Sequence, residues 1–115
     1  MEQFAKIYLD TALSFEDVLQ AVQKLTGGAR SVRTVTAEPV EIDLLRNEDH
    51  EAARAAAGDF VYFPYIVEVY PAGDVDDARF VAAVRTLVER VAGEGWRLVT
   101  AADFEDQLPG TGRND

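Results

Sequence analysis

FVYFPYIVEVY, residues 60–70, is the most apolar run in the chain, and its reading decides the fold. Aromatic and β-branched residues dominate it, which favours a strand. Pro64 has no N–H to give to a ladder, so the paired portion is expected to begin at Tyr65 and end at Tyr70. Pro71 and Gly73 then close it. A run this apolar belongs at the centre of a sheet.

On the C-terminal side, Asp74 or Asp76 is placed to cap a helix. Phe80, Val84, Leu87, Val88 and Val91 share one face of that helix, with Val81 beside them. Arg79, Arg85, Glu89 and Arg90 occupy the rest, and Gly93 and Gly95 stop it. A last strand is expected over Trp96–Ala101. The acidic segment beyond it, with Asp103, Glu105 and Asp106, holds two apolar anchors, Phe104 and Leu108.

On the N-terminal side, residues 47–59 pass from a charged cluster into Ala52-Ala53-Arg54-Ala55-Ala56-Ala57. Alanine favours helix, but no stripe of large apolar residues accompanies it, so a short surface helix and a loop are both open. From Ser31 to Leu45 the chain is rich in Val, Thr and Ile, and Pro39 interrupts it: an edge strand, a bulged strand or two short strands. Val40, Ile42 and Leu44 alternate with Glu41, Asp43 and Leu45, so one face is apolar and the other mostly acidic. Further back, Ser14 and Asp17 form a capping box for a helix whose stripe is Phe15, Val18, Leu19, Val22 and Leu25. Gly27-Gly28 ends that helix. Phe4–Asp10 alternates as a first strand, with Ala5, Ile7 and Leu9 on one face.

The order strand, helix, strand, strand, helix, strand predicts an α+β chain of the ferredoxin-like βαββαβ kind. Right-handed crossovers then place two helices on one face of a four-stranded antiparallel sheet, order 4-1-3-2. The strand bearing Pro39 falls at an edge, where proline and charge discourage pairing with other chains. One domain is expected over residues 1–110, with 111–115 a frayed tail.

Composition narrows function by exclusion. The 115 residues include no cysteine and one histidine, His50, so disulfides, thiolate metal sites and cysteine nucleophiles are ruled out. No metal site and no cofactor is expected. The net charge of −10 has the wrong sign for nucleic acid and for anionic lipid. No apolar run approaches the ~18 residues a membrane helix needs, and the N-terminus does not resemble a signal peptide. A cytoplasmic location is expected. Nine arginines against two lysines suggest coding by a GC-rich bacterial genome.

No catalytic residue stands out. Ser14 and Ser31 sit at element boundaries without a neighbouring histidine, and Thr26-Gly27-Gly28 follows a helix, where a phosphate cradle would precede one. Asp74, Asp76 and Asp77 suit a helix start better than a calcium loop. What remains is charge and aromaticity. Residues 38–51 hold six acids and one arginine, and aromatics cluster at 60–70.

The expectation is therefore a non-enzymatic acidic protein-binding module. It would be an inhibitor or immunity-type protein that meets a basic partner through Glu41, Asp43, Glu48, Asp49, Glu51, Tyr62, Tyr65 and Tyr70. The alternative is a homodimer that pairs open aromatic sheet faces, with room for a small ligand. An enzyme using Tyr62, Tyr65 or Tyr70 with Glu68 or Asp10 for proton transfer is a third possibility, which rests on analogy of architecture.

Overall fold

A computed structural model describes residues 1–109. They build β1 (Ala5–Asp10), α1 (Phe15–Thr26), β2 (Ala29–Ser31), β3 (Thr34–Ala37), β4 (Val40–Arg46), α2 (Ala52–Ala56), β5 (Tyr65–Pro71), α3 (Asp77–Ala92) and β6 (Arg97–Ala102). Single 3₁₀ turns at Phe60–Tyr62 and Glu105–Gln107 complete the α+β fold. Gly110 and the expected frayed tail at 111–115 lie outside the described residues.

The sheet has six strands, where four were expected. Its order is β2-β3-β4-β5-β1-β6, and every neighbouring pair is antiparallel. The difference arises between residues 29 and 46. Pro39 does not sit in a ladder. It occupies the two-residue Glu38-Pro39 turn between β3 and β4, where its missing N–H removes no ladder bond, and Ala37 pairs with Val40 across that turn. β4 is therefore interior, flanked by β3 and β5, and the edge on that side is the short, fully exposed β2. β2 turns into β3 through Val32, whose φ of 53° is in the left-handed region that β-branched residues avoid.

The helix boundaries follow their capping chemistry. Ser14 Oγ accepts from the Asp17 N–H at 3.1 Å, and Asp76 Oδ1 accepts from the Arg79 N–H at 2.8 Å. Gly27 ends α1 in the left-handed conformation, with φ 68°. Gly28 is needed for a different reason. A Cβ there would stand 2.7 Å from the Thr36 carbonyl oxygen, so only glycine lets the α1–β2 link run against β3.

One face of the sheet carries the core. Ala5, Ile7 and Leu9 of β1, Ile42 and Leu44 of β4, and Val67 and Val69 of β5 meet Val18, Leu19 and Val22 of α1 and the full apolar stripe of α3. The tail anchors close this layer: Phe104 is 2% exposed and meets the Phe80 ring edge-on at 5.8 Å, and Leu108 is buried beside it. Among the described residues no helix is long and apolar enough to cross a membrane.

The second face is covered over only part of its area. Ala55 and Phe63 pack on Val99, with Tyr8 and Phe60 at the margin. The segment from α2 to the start of β5 thus lies over the Tyr8–Val99 end. Asn47, itself buried, pins that segment: its Nδ2 donates to the Val61 and Phe63 carbonyls at 2.8 and 2.7 Å, and its Oδ1 accepts from the Asp49 N–H at 3.0 Å.

Candidate functional site

Strand alternation and register assemble a polar–aromatic field on the uncovered part of that second face. In β5 the side chains of Glu68 and Tyr70 point away from the buried Val67 and Val69. Register sets Glu41 opposite Tyr70, Asp43 opposite Glu68, and Lys6 opposite Glu68 on its other side. Thr34 is opposite Asp43 and Thr36 opposite Glu41. The field is therefore two neighbouring rows: Thr36, Glu41 and Tyr70 with Phe4 beside it, then Thr34, Asp43, Glu68 and Lys6.

Tyr70 is its aromatic centre. The ring is 37% exposed and lies 5.2 Å from the Phe4 ring, tilted against it. Its hydroxyl donates to Glu68 Oε1 at 3.0 Å. Partial burial, the hydrogen bond to Glu68 and the charges of Glu68 and Asp43 all raise the Tyr70 pKa above its ordinary value. The phenol therefore keeps its proton at neutral pH and serves as a hydrogen-bond donor to Glu68.

The carboxylates are crowded. Asp43 and Glu68 are direct cross-strand partners, and like charges in that relation are destabilising. Thr34 Oγ1 donates to Asp43 Oδ1 at 2.6 Å, and Tyr70 and Lys6 stand by Glu68. Glu41 has no side-chain partner among the described residues. The fold leaves this field net negative and partly exposed, with Thr36, Glu41 and Tyr70 its most open members.

The expected binding residues divide into three groups. Glu41, Asp43 and Tyr70 come together in this field. Glu48, Asp49 and Glu51 are exposed on the loop beyond β4, and the strand from Glu41 to its end at Arg46 alone spans roughly 16 Å at ~3.3 Å per residue. Glu51 pairs there with Arg54 at 3.5 Å, and the Arg54 guanidinium lies 4.9 Å from the Tyr62 ring centroid and donates to the Tyr62 hydroxyl at 3.1 Å. Tyr65 is on the helix-covered side of the sheet, where it packs near Phe15 and donates to the Leu13 carbonyl at 2.6 Å. Tyr65 is therefore part of the frame.

Five members of the field were not among the expected binding residues: Glu68, Phe4, Lys6, Thr34 and Thr36. Alternation alone would have found Glu68, because it stands two residues before Tyr70 on the same strand. Phe4 and Lys6 needed the β1–β5 register, which no local pattern supplies.

Among the described residues no group of three or more His, Asp or Glu is placed to hold a metal ion. The chain matches no protein family model, no curated protein and no solved structure.

Proposed function

We propose that the chain is a non-enzymatic acidic binding module that seats a basic protein on the open half of its sheet, in the manner of an inhibitor or immunity-type protein. Its framework, on this reading, is a ferredoxin-like βαββαβ core extended by the β2–β3 hairpin. The strand order β4-β5-β1-β6 and the packing of α1 and α3 on one sheet face support that framework.

The observation that carries the functional reading is Tyr70, a half-exposed aromatic set among Glu41, Asp43 and Glu68. Tyrosine surrounded by groups that exclude water is a common interface anchor. Adjacent carboxylates that repel each other in the free chain favour an arriving lysine or arginine, and the net charge of −10 would speed the encounter. Glu48 and Asp49 lie on the loop past the far end of β4, away from the anchor, and would act as steering charge.

The same crowding weighs against a homodimer through this face, because a two-fold contact would oppose the carboxylates of two copies.

The test is capture from an extract of the native cell on the immobilised chain, with wild type beside Tyr70→Ala. One basic protein recovered in near-equal amount by wild type, and lost from Tyr70→Ala, is expected. Equal recovery by both, or recovery of nothing by wild type, would contradict the proposal.

A further inference from the structure

At the opposite end of the sheet, where β1 and β4 finish and β5 and β6 begin, a cleft of about 560 Å³ opens between the β1–α1 link and α2. Its size is within the range of small-molecule sites, roughly 300–1,000 Å³. Its charge runs against that of the chain. Arg46, Arg97 and His50 line it, and among the described residues Asp10 is the one carboxylate in its wall.

Asp10 is already committed. Arg97 pairs with it, donating through Nε at 2.9 Å, and also reaches the Ala55 carbonyl and lies 5.1 Å from the Phe63 ring centroid. That pair is a fixed and nearly neutral part of the wall.

Arg46 differs. Its guanidinium stands 4.3 Å from the centroid of the Phe15 ring, and among the described residues it makes no ion pair and no side-chain hydrogen bond. The ring positions the head without using any N–H donor. The apolar part of the wall is Leu13, Pro64, Ala52 and Ala56.

We propose that this cleft binds a small organic carboxylate. The carboxylate meets the Arg46 fork in the two-point geometry that guanidinium offers, and the apolar body rests against Leu13, Pro64 and the alanines of α2. A monoanion suits the site better than phosphate, because among the described residues one uncommitted arginine, Arg46, has to balance it in a wall that also holds Asp10. The site is separate from the Tyr70 field and does not depend on the protein-binding reading.

Benzoate is the probe, its neutral isostere benzamide the control, and amide resonances of the full chain the readout. Benzoate is expected to give saturable shifts confined to residues 10–13, 46–56, 64–65 and 97. Benzamide is expected to give none, and Arg46→Met to weaken benzoate at least tenfold while the rest of the spectrum is unchanged. Arg46→Lys, which keeps the charge and loses the fork, should fall between. The proposal is overturned if benzoate gives no saturable shift, if benzamide matches it, if both variants bind as wild type does, or if inorganic phosphate binds more tightly than benzoate.

Discussion

Asn47 holds the segment that both caps one end of the second sheet face and walls the cleft, so its removal tests how that segment is built. Its amide is used from both ends. Nδ2 serves the Val61 and Phe63 carbonyls, and Oδ1 takes the Asp49 N–H. Asn47→Ala deletes all three bonds. The two partly buried ones are worth about 1 kcal/mol each, and stranding the buried Phe63 carbonyl adds about 1–2 kcal/mol. The expected loss is about 3 kcal/mol, or about 12 °C in melting temperature for a chain of this size. Asn47→Asp is the sharper perturbation. It keeps the shape and the acceptor for Asp49, but sets a carboxylate oxygen against two carbonyl oxygens at hydrogen-bond distance. It should cost at least about 1 kcal/mol more than alanine at neutral pH. The gap should close below pH ~4, where the protonated acid regains one donor. Urea unfolding of the three proteins at two pH values is the assay. A loss below about 0.5 kcal/mol for Asn47→Ala, or an aspartate no worse than the alanine, would refute this account of the segment.

Other consequences follow from single residues. Thr100 is fully buried and its Oγ1 has no partner among the described residues, so Thr100→Val should stabilise the fold by about 1 kcal/mol; a shift of the denaturation midpoint in the opposite direction would show the hydroxyl is satisfied. Val32, 85% exposed at φ 53°, carries backbone strain that asparagine tolerates better. Val32→Asn should raise stability by about 1 kcal/mol in the same assay. Tyr70 should titrate above an ordinary tyrosine in ultraviolet difference absorbance, and Glu68→Gln should lower it part of the way back. The linkage has a definite sign. A raised folded-state pKa means that the folded chain holds this proton more tightly than the unfolded chain does. The associated stability is present below the ordinary tyrosine range and is lost as pH rises through the Tyr70 pKa.

Most of the frame was legible because local chemistry fixes it. Ser14 and Asp76 are hydroxyl and carboxylate caps, Gly27 is a left-handed terminus, and the Val84–Val91 stripe has helical period; each follows from a few adjacent residues. The β2–β3 hairpin was not legible. Its turn puts a valine at positive φ, where turn chemistry would call for glycine or asparagine, and β2 has no alternation because all three of its residues are exposed. Pro39 was a true interruption, but a turn satisfies it as well as an edge does. At the site, the acids of β4 and Tyr70 could be read from alternation. Their union with Phe4 and Lys6 could not, since it depends on which strand lies beside β5. Tyr65 shows the converse: it belongs to the aromatic cluster in sequence, yet parity sends it to the face opposite Tyr70. Asn47 left a faint signal, an asparagine two residues before Asp49 at a strand end, as in an Asx turn.

The reading of Tyr70 and its carboxylates claims that position matters, not net charge alone. Two triple variants separate the two. Glu41, Asp43 and Glu68 changed to lysine, and Asp17, Glu89 and Glu94 changed to lysine, each move the net charge from −10 to −4, because three acids each gain two units. The measurement is recovery of the basic partner from native extract by each immobilised variant at low salt. The expected result is loss of the partner from the first variant and retention by the second. Equal retention by both, or equal loss from both, would contradict a site on the open sheet face.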